Sequence, residues 1–203
     1  VCHGFPSGDV WGKYVDYLEH KCHAKLSAFE FRHKSPGAKT PVYRAEMDNG
    51  RVLTQSLAKN AYSRTYNSLI SHMLSCYKCR YTKKERAGDI TLGDFWGIEQ
   101  FSPQNANALG TSLILVNSEK GRLLLDKINN AIVISERSME EAQMKNPALK
   151  ESVKKRPWRK GFFKSLDKYG FKRTFNIYIR VGNIVLIPYR VLRKIKHLIG
   201  DKT

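Results

Sequence analysis

Cys76 and Cys79, in the run Cys76-Tyr77-Lys78-Cys79, are the residues best placed to do chemistry. Two thiolates at this spacing can grip one metal ion or cluster with little backbone rearrangement. A linker (80–88) leads on to Asp89-Ile90-Thr91-Leu92-Gly93-Asp94-Phe95-Trp96-Gly97. This second run reads as a short strand ending in a turn crowded with glycine, acid and aromatic residues. Such a turn brings backbone N–H groups, a carboxylate and a flat apolar face to one place. Asp89, Gly93, Asp94, Trp96 and Gly97 are therefore the candidate cofactor-binding residues.

Cys2 supplies a third candidate ligand, and Cys22 is the remaining cysteine. A bare CxxC also fits two small buried apolar side chains. Zinc would need a second pair or histidine partners, and His3 and His72 do not stand at a recognised finger spacing. An iron–sulfur cluster ordinarily takes four thiolates. Spacing alone does not choose between zinc and iron. Four cysteines without regular spacing do not form a secreted disulfide framework, so reduced thiols are expected.

Other chemistries find little support. His3, His20, His23, His33, His72 and His197 form no HExxH or HxH pattern and read as surface or structural histidines. Asp89 can cap its strand, and Asp94 can hold its turn by an Asx-type bond. No P-loop, GxGxxG or Ser–His–Asp arrangement stands out, which argues against a conventional hydrolase or nucleotide fold.

The elements that must position this corner can be read in order. Ser7 is placed to cap a helix running to about Lys21, with Val10, Trp11, Tyr14, Val15, Tyr17 and Leu18 mostly on one face. Strands are expected over 25–32, 41–47 and 51–56, the last two joined by Asp48-Asn49-Gly50 in a type I′ turn. A helix over 62–74 is expected to feed straight into Cys76. Then follow the strand 89–93, a loop over 98–109 and a buried strand over 111–116. A helix from about Asn117 to Asn129 would turn Leu123, Leu124 and Ile128 inward. A strand over 131–135, a short helix over 138–144 and an amphipathic stretch reaching Tyr169 complete the reading. Hairpin strands mixed with helices predict an α+β fold in one domain.

The net charge of +18 calls for an anionic partner. Residues 151–203 hold 15 Lys or Arg against 3 acids, which places +12 of that charge in the last quarter. Aromatic and basic residues alternate there, with Trp158, Phe162, Phe163, Ile177, Tyr178 and Ile179 among the cations. That pattern suits a solvated or partner-docking face, an anionic lipid surface or, less well, nucleic acid. The longest apolar run, 184–187, is far too short to span a bilayer. The chain opens on Val1-Cys2-His3-Gly4 without an initiator methionine, so a fragment of a longer protein is expected.

Four motifs occur in order: Val1-Cys2-His3-Gly4-Phe5-Pro6-Ser7 with Val10-Trp11, Ser75-Cys76-Tyr77-Lys78-Cys79, Arg86 with the run 89–97, and the run 110–121 (GTSLILVNSEKG). Together they resemble the C-terminal domain of the coenzyme F420 hydrogenase/dehydrogenase beta-subunit family over residues 1–170. Asn146-Pro147-Ala148-Leu149 and the basic segment with Phe162-Phe163 are similar to that family's ending. Residues 171–203 form a basic tail outside it. The resemblance implies an iron–sulfur flavoprotein oxidoreductase that moves electrons between a flavin or deazaflavin and a ferredoxin-like carrier or fused ferredoxin module.

By position, the resemblance assigns Cys2, Cys76 and Cys79 as ligands of a 4Fe-4S cluster, with a further cysteine upstream of Val1. It implies FAD as the flavin and leaves Cys22 aside. The run 89–97 is similar to members found beside polysaccharide-synthesis genes. The implied location is the cytoplasm, with the basic tail at the inner face of the membrane. A non-catalytic, metal-stabilised module docking an anionic membrane surface or nucleic acid is the alternative.

Overall fold

The computed structural model describes residues 1–35, 40–83, 85–107 and 109–181. The apolar run 184–187, the basic run 190–196 and His197 lie outside the described residues. The fold is α+β, and the chain divides into two compact units that alternate along the sequence. Unit 1 comprises residues 1–5 and 73–154, and unit 2 comprises residues 6–72 and 155–203.

Unit 2 is built on helix α1 (Gly8–Cys22), the antiparallel strands β1 (Leu26–His33), β2 (Val42–Met47) and β3 (Val52–Ser56), helix α2 (Ala61–Asn67) and helix α6 (Arg159–Phe175). The sheet order is β1-β2-β3. The central strand β2 buries Tyr43, Ala45 and Met47 in strict alternation. That is the period-two pattern of a strand with one face on the core. Helix α1 buries Val10, Tyr14, Leu18 and Cys22, and α6 adds Phe162, Leu166 and Phe171. An aromatic cluster fills the interior: Tyr14 meets Tyr62 at 5.2 Å and Phe171 at 4.9 Å, while Trp11 meets Phe29 at 4.9 Å between ring centroids.

Three expectations change in unit 2. Ser7 is the N-cap residue of α1, but its hydroxyl donates to the Asp9 carboxylate at 3.0 Å instead of capping a backbone N–H. In the β2–β3 turn only Gly50 has positive φ, at 79°, and its N–H donates to Met47 O at 3.0 Å. A type I′ turn needs positive φ at Asn49 as well, so this is the longer hairpin loop closed by a left-handed glycine. Helix α2 stops at Asn67 and does not reach Cys76. Leu69 takes positive φ (65°), Ile70 to His72 are buried, and His72 bridges Pro6 in an isolated antiparallel pair.

Unit 1 contains the antiparallel pair β4 (Ile90–Asp94) and β5 (Ser112–Val116), with helices α3 (Ile98–Phe101), α4 (Glu119–Ile128) and α5 (Met139–Lys145). Its small core is Phe95, Ile98, Leu113, Ala142 and Leu149. Here too the expectations shift. Leu123, Leu124 and Ile128 are exposed, because α4 approaches its unit through Gly121. Two strands offer too little surface to cover that helix's apolar face. The segment 131–135 forms no strand: Ala131 ends a 3-10 turn and the residues after it take no regular structure, with Val133 99% exposed.

Candidate cluster and cofactor site

Short segments of unit 1 assemble the corner that holds the cysteines. Met73 N–H donates to Phe5 O at 2.8 Å, and Phe5 N–H donates to Cys76 Sγ at 3.3 Å. The Val1 amino group donates to the Leu92 carbonyl of β4. Residues 1–5, carrying Cys2, are thereby laid between the Cys76 turn and the end of β4. Cys76 sits inside a 3-10 turn, Leu74–Lys78, and its N–H donates to Met73 O at 3.0 Å. Cys79 ends the turn, its carbonyl accepting from the Thr82 hydroxyl at 2.8 Å. From the far end of the unit, the Ser152 hydroxyl donates to Tyr77 O at 3.1 Å.

None of the four cysteines forms a disulfide. Cys2 is exposed, Cys76 and Cys79 are half-buried, and Cys22 is buried in α1 of unit 2. No group of three His, Cys, Asp or Glu side chains among the described residues converges closely enough to hold a metal ion. A single ion needs three or four donors on one small sphere. Cluster-ligating sulfurs accept N–H bonds of the kind Phe5 makes to Cys76. Thiolates ligate zinc and iron–sulfur clusters alike, so the residue types of this corner suit either.

The turn after β4 brings Trp96 against His3, the rings 4.4 Å apart and 17° from parallel. Burial is the main cause that holds the His3 imidazole below its ordinary value of 6.5. Gly93 lies under Val1: a Cβ there would come within 2.7 Å of Val1 Cγ2. Gly97 takes φ 89° at the start of α3, and its would-be Cβ meets the Lys145 side chain at 2.6 Å. Both glycines answer to close packing, and Gly97 also to a left-handed backbone.

Asp89 and Asp94 stand at opposite ends of β4, roughly 16 Å of extended chain apart. Asp89 accepts from the Ser118 hydroxyl at 2.6 Å, and that hydroxyl also accepts from Gly121 N–H at 3.2 Å to cap α4. The Ser118 bond is the first cause that lowers the Asp89 carboxyl below its usual range, with Lys120 adding to it. Asn117 completes this clamp through Nδ2, which donates to Gly88 O at 2.8 Å and Thr91 Oγ1 at 3.0 Å. Asp89 thus serves the strand–helix joint, while Gly93, Asp94, Trp96 and Gly97 form the corner.

Sequence reasoning missed two residues that hold this corner. Asn146 is fully buried, and its Nδ2 donates to Asp94 O and Ala142 O, both at 3.2 Å. Two carbonyls on one side fix the orientation of that amide, leaving Oδ1 buried without a donor among the described residues. Arg86 donates to Tyr81 O at 2.5 Å and to Ala148 O at 3.3 Å, tying the linker after Cys79 to the end of the unit. Both stood out only through family resemblance, since an asparagine before proline or an arginine in a linker gives no local signal.

The site is a thiol pair on a tight turn, a third thiol on a neighbouring segment and an aromatic corner. Residues 1–142 match the family described as the C terminus of the beta subunit of coenzyme F420 hydrogenase/dehydrogenase, and the chain belongs to that family. No curated protein and no solved structure matches it. The family is one of oxidoreductase subunits by its description. Among the described residues no helix is long and apolar enough to cross a membrane.

Proposed function

We propose that this chain is the C-terminal portion of an iron–sulfur flavoprotein oxidoreductase, passing electrons between a flavin or deazaflavin and a ferredoxin-like carrier or fused ferredoxin module. The observation that carries this reading is the Phe5 N–H bond to Cys76 Sγ. It joins the segment bearing Cys2 to the turn bearing Cys76 and Cys79. Those three cysteines would hold a 4Fe-4S cluster, with a fourth ligand from outside them. When bound, such a cluster supplies one-electron transfer, and FAD supplies hydride or electron-pair exchange.

The chain's own residues have definite tasks in this reading. Phe5 N–H orients Cys76 and stabilises its thiolate. Trp96 and His3 offer a paired ring face, and Asp94, Gly93 and Gly97 shape the wall beside it. Asn146 fixes that wall through the Asp94 carbonyl.

Anaerobic reconstitution with iron and sulfide tests the reading, through absorption and EPR spectra of wild type and Cys76→Ser. A broad band on the order of 400 nm that collapses in Cys76→Ser is expected. Equal spectra for the two proteins would overturn the assignment of Cys76.

The basic tail is proposed to meet an anionic membrane surface. Phe171, Thr174 and Ile179 are buried in unit 2, so a truncation that leaves the core intact begins at residue 182. Liposome flotation with and without residues 182–203 tests this, and equal flotation would sink it.

A further inference from the structure

We infer that unit 2 carries a binding pocket for a small anion with one flat ring face, a site separate in composition and location from the cysteine corner of unit 1. A cavity of about 390 Å³ opens within unit 2 against β2, β3, α1 and the end of α6. Tyr17, Phe29 and Phe175 line it with partly buried rings, and Tyr14, Tyr43 and Phe171 lie deeper. Apolar ring faces of this kind stack on flat ligands.

The charge on its walls has one sign. Lys21 from α1, Lys59 after β3, Lys172 from α6 and Arg180 from the π-helical turn Asn176–Val181 all line the cavity, and among the described residues no aspartate or glutamate does. None of the four forms an ion pair with a described residue. Elsewhere in the same unit cations do find carboxylates: Lys25 meets Glu19 at 2.8 Å, and Arg44 meets Glu30 at 3.2 Å. Four cations from four segments therefore line one concavity with no carboxylate partner among the described residues. Low-dielectric walls concentrate their field there, and an anion relieves their mutual repulsion.

The polar lining is also arranged to donate. Asn60 Nδ2 donates to Tyr14 Oη at 2.9 Å and to Gln55 Oε1 at 3.1 Å. That fixes the Gln55 amide with its Nε2 left to donate to a ligand. The volume lies near the lower end of the range for ligand pockets, about 300–1,000 Å³. It suits a ring the size of a nucleoside monophosphate or a cyclic acid and is too small to enclose a dinucleotide such as FAD. The shared chemistry is one ring plus one phosphate or carboxylate.

Calorimetric titration of the 203-residue chain at low salt tests this, with uridine monophosphate, glucuronate, uridine, glucose and FAD as probes. At least one charged probe should bind about ten-fold tighter than its neutral counterpart and weaken as salt rises. The double substitution Lys59→Gln with Lys172→Gln should lower that affinity about ten-fold without lowering the melting temperature, since both lysines are exposed and their removal relieves like-charge repulsion. Tyr17→Ala should weaken the same probe by a comparable factor. Preference for uridine monophosphate identifies a phosphate ester as the source, and preference for glucuronate a carboxylate. The proposal is overturned if neither anion exceeds its neutral counterpart, if the double variant binds like wild type, or if only FAD is sensitive to the lysines. The cysteine corner plays no part in these readouts, so failure here leaves the cluster assignment standing.

Discussion

Trp96 lies flat on His3, with 4.4 Å between ring centroids. The contact ties the segment after the first cysteine to the turn after β4, and it makes His3 a reporter of that joint. Burial lowers the imidazole pKa, so the folded chain resists a proton that the unfolded chain accepts. Stability from this group is complete above about pH 6.5 and falls as the pH drops through that value. Urea midpoints measured from about pH 7.5 down to about 5.5 should decline, and His3→Phe, which keeps the stack, should flatten the decline. The same slope in His3→Phe would assign it to other groups.

Gly121 touches Asp89 through backbone alone. A Cβ at 121 would sit 2.3 Å from Asp89 O. Gly121→Ala should cost about 1–3 kcal/mol, as overpacking does, read as a lower urea midpoint. Gly12, inside α1, has nothing within 4 Å of its would-be Cβ. Gly12→Ala should raise stability by up to about 1 kcal/mol through helix propensity. The two alanines should therefore move the midpoint in opposite directions.

Much of this was legible beforehand, and the failures share one physical cause. Helix α1 and strand β2 follow from apolar periodicity because each buries a face within its own unit, and β3 follows from the Asp48-Asn49-Gly50 turn that pairs it with β2. Cys76, Cys79 and the run 89–97 stood out by residue type. The inward prediction for Leu123, Leu124 and Ile128 failed because periodicity states which face is apolar and not whether anything covers it. The helix expected to reach Cys76 was interrupted by tertiary demand: His72 pairs with Pro6, which breaks the local helical pattern. Asn146 was invisible as an anchor because both of its acceptors, Asp94 O and Ala142 O, are backbone atoms. Sequence distinguishes no carbonyl from another.

Asn146 gives the next test. Asn146→Leu removes both donations made by the buried amide, to Asp94 O and Ala142 O, which should cost about 1–3 kcal/mol. Asn146→Asp should be worse, since an ionised carboxylate would face those carbonyls. Both variants should also loosen the corner, seen as faster hydrogen exchange at Phe95 and Gly97. Unchanged exchange would mean that β4 and β5 hold the turn without Asn146.

At alkaline pH unit 2 should be the first to fail. Burial drives the Tyr14 and Tyr62 phenols up to about 12. The unfolded chain releases these protons near about pH 10, so the stability they carry is intact below that value and is lost as the pH climbs toward about 12. Absorbance titration should show these two tyrosines ionising late and together with loss of far-ultraviolet dichroism. Tyr62→Phe should reduce the alkaline loss. In Tyr14→Phe the gain should be offset, because the Asn60 amide loses the acceptor it holds at 2.9 Å.

The alternation of the two units along the chain has a consequence during synthesis. Tyr14 packs on Phe171 in unit 2, yet nearly all of unit 1 is encoded between them. At about 5–20 residues per second, the apolar face of α1 waits roughly 8–30 s for α6 to leave the ribosome. Unit 1 can close in that interval, because residues 1–5 and 73–154 are complete before α6 is made. The chain path therefore predicts an order of assembly: the unit carrying the cysteine corner closes first, and the helix that begins at Gly8 is among the last to be covered.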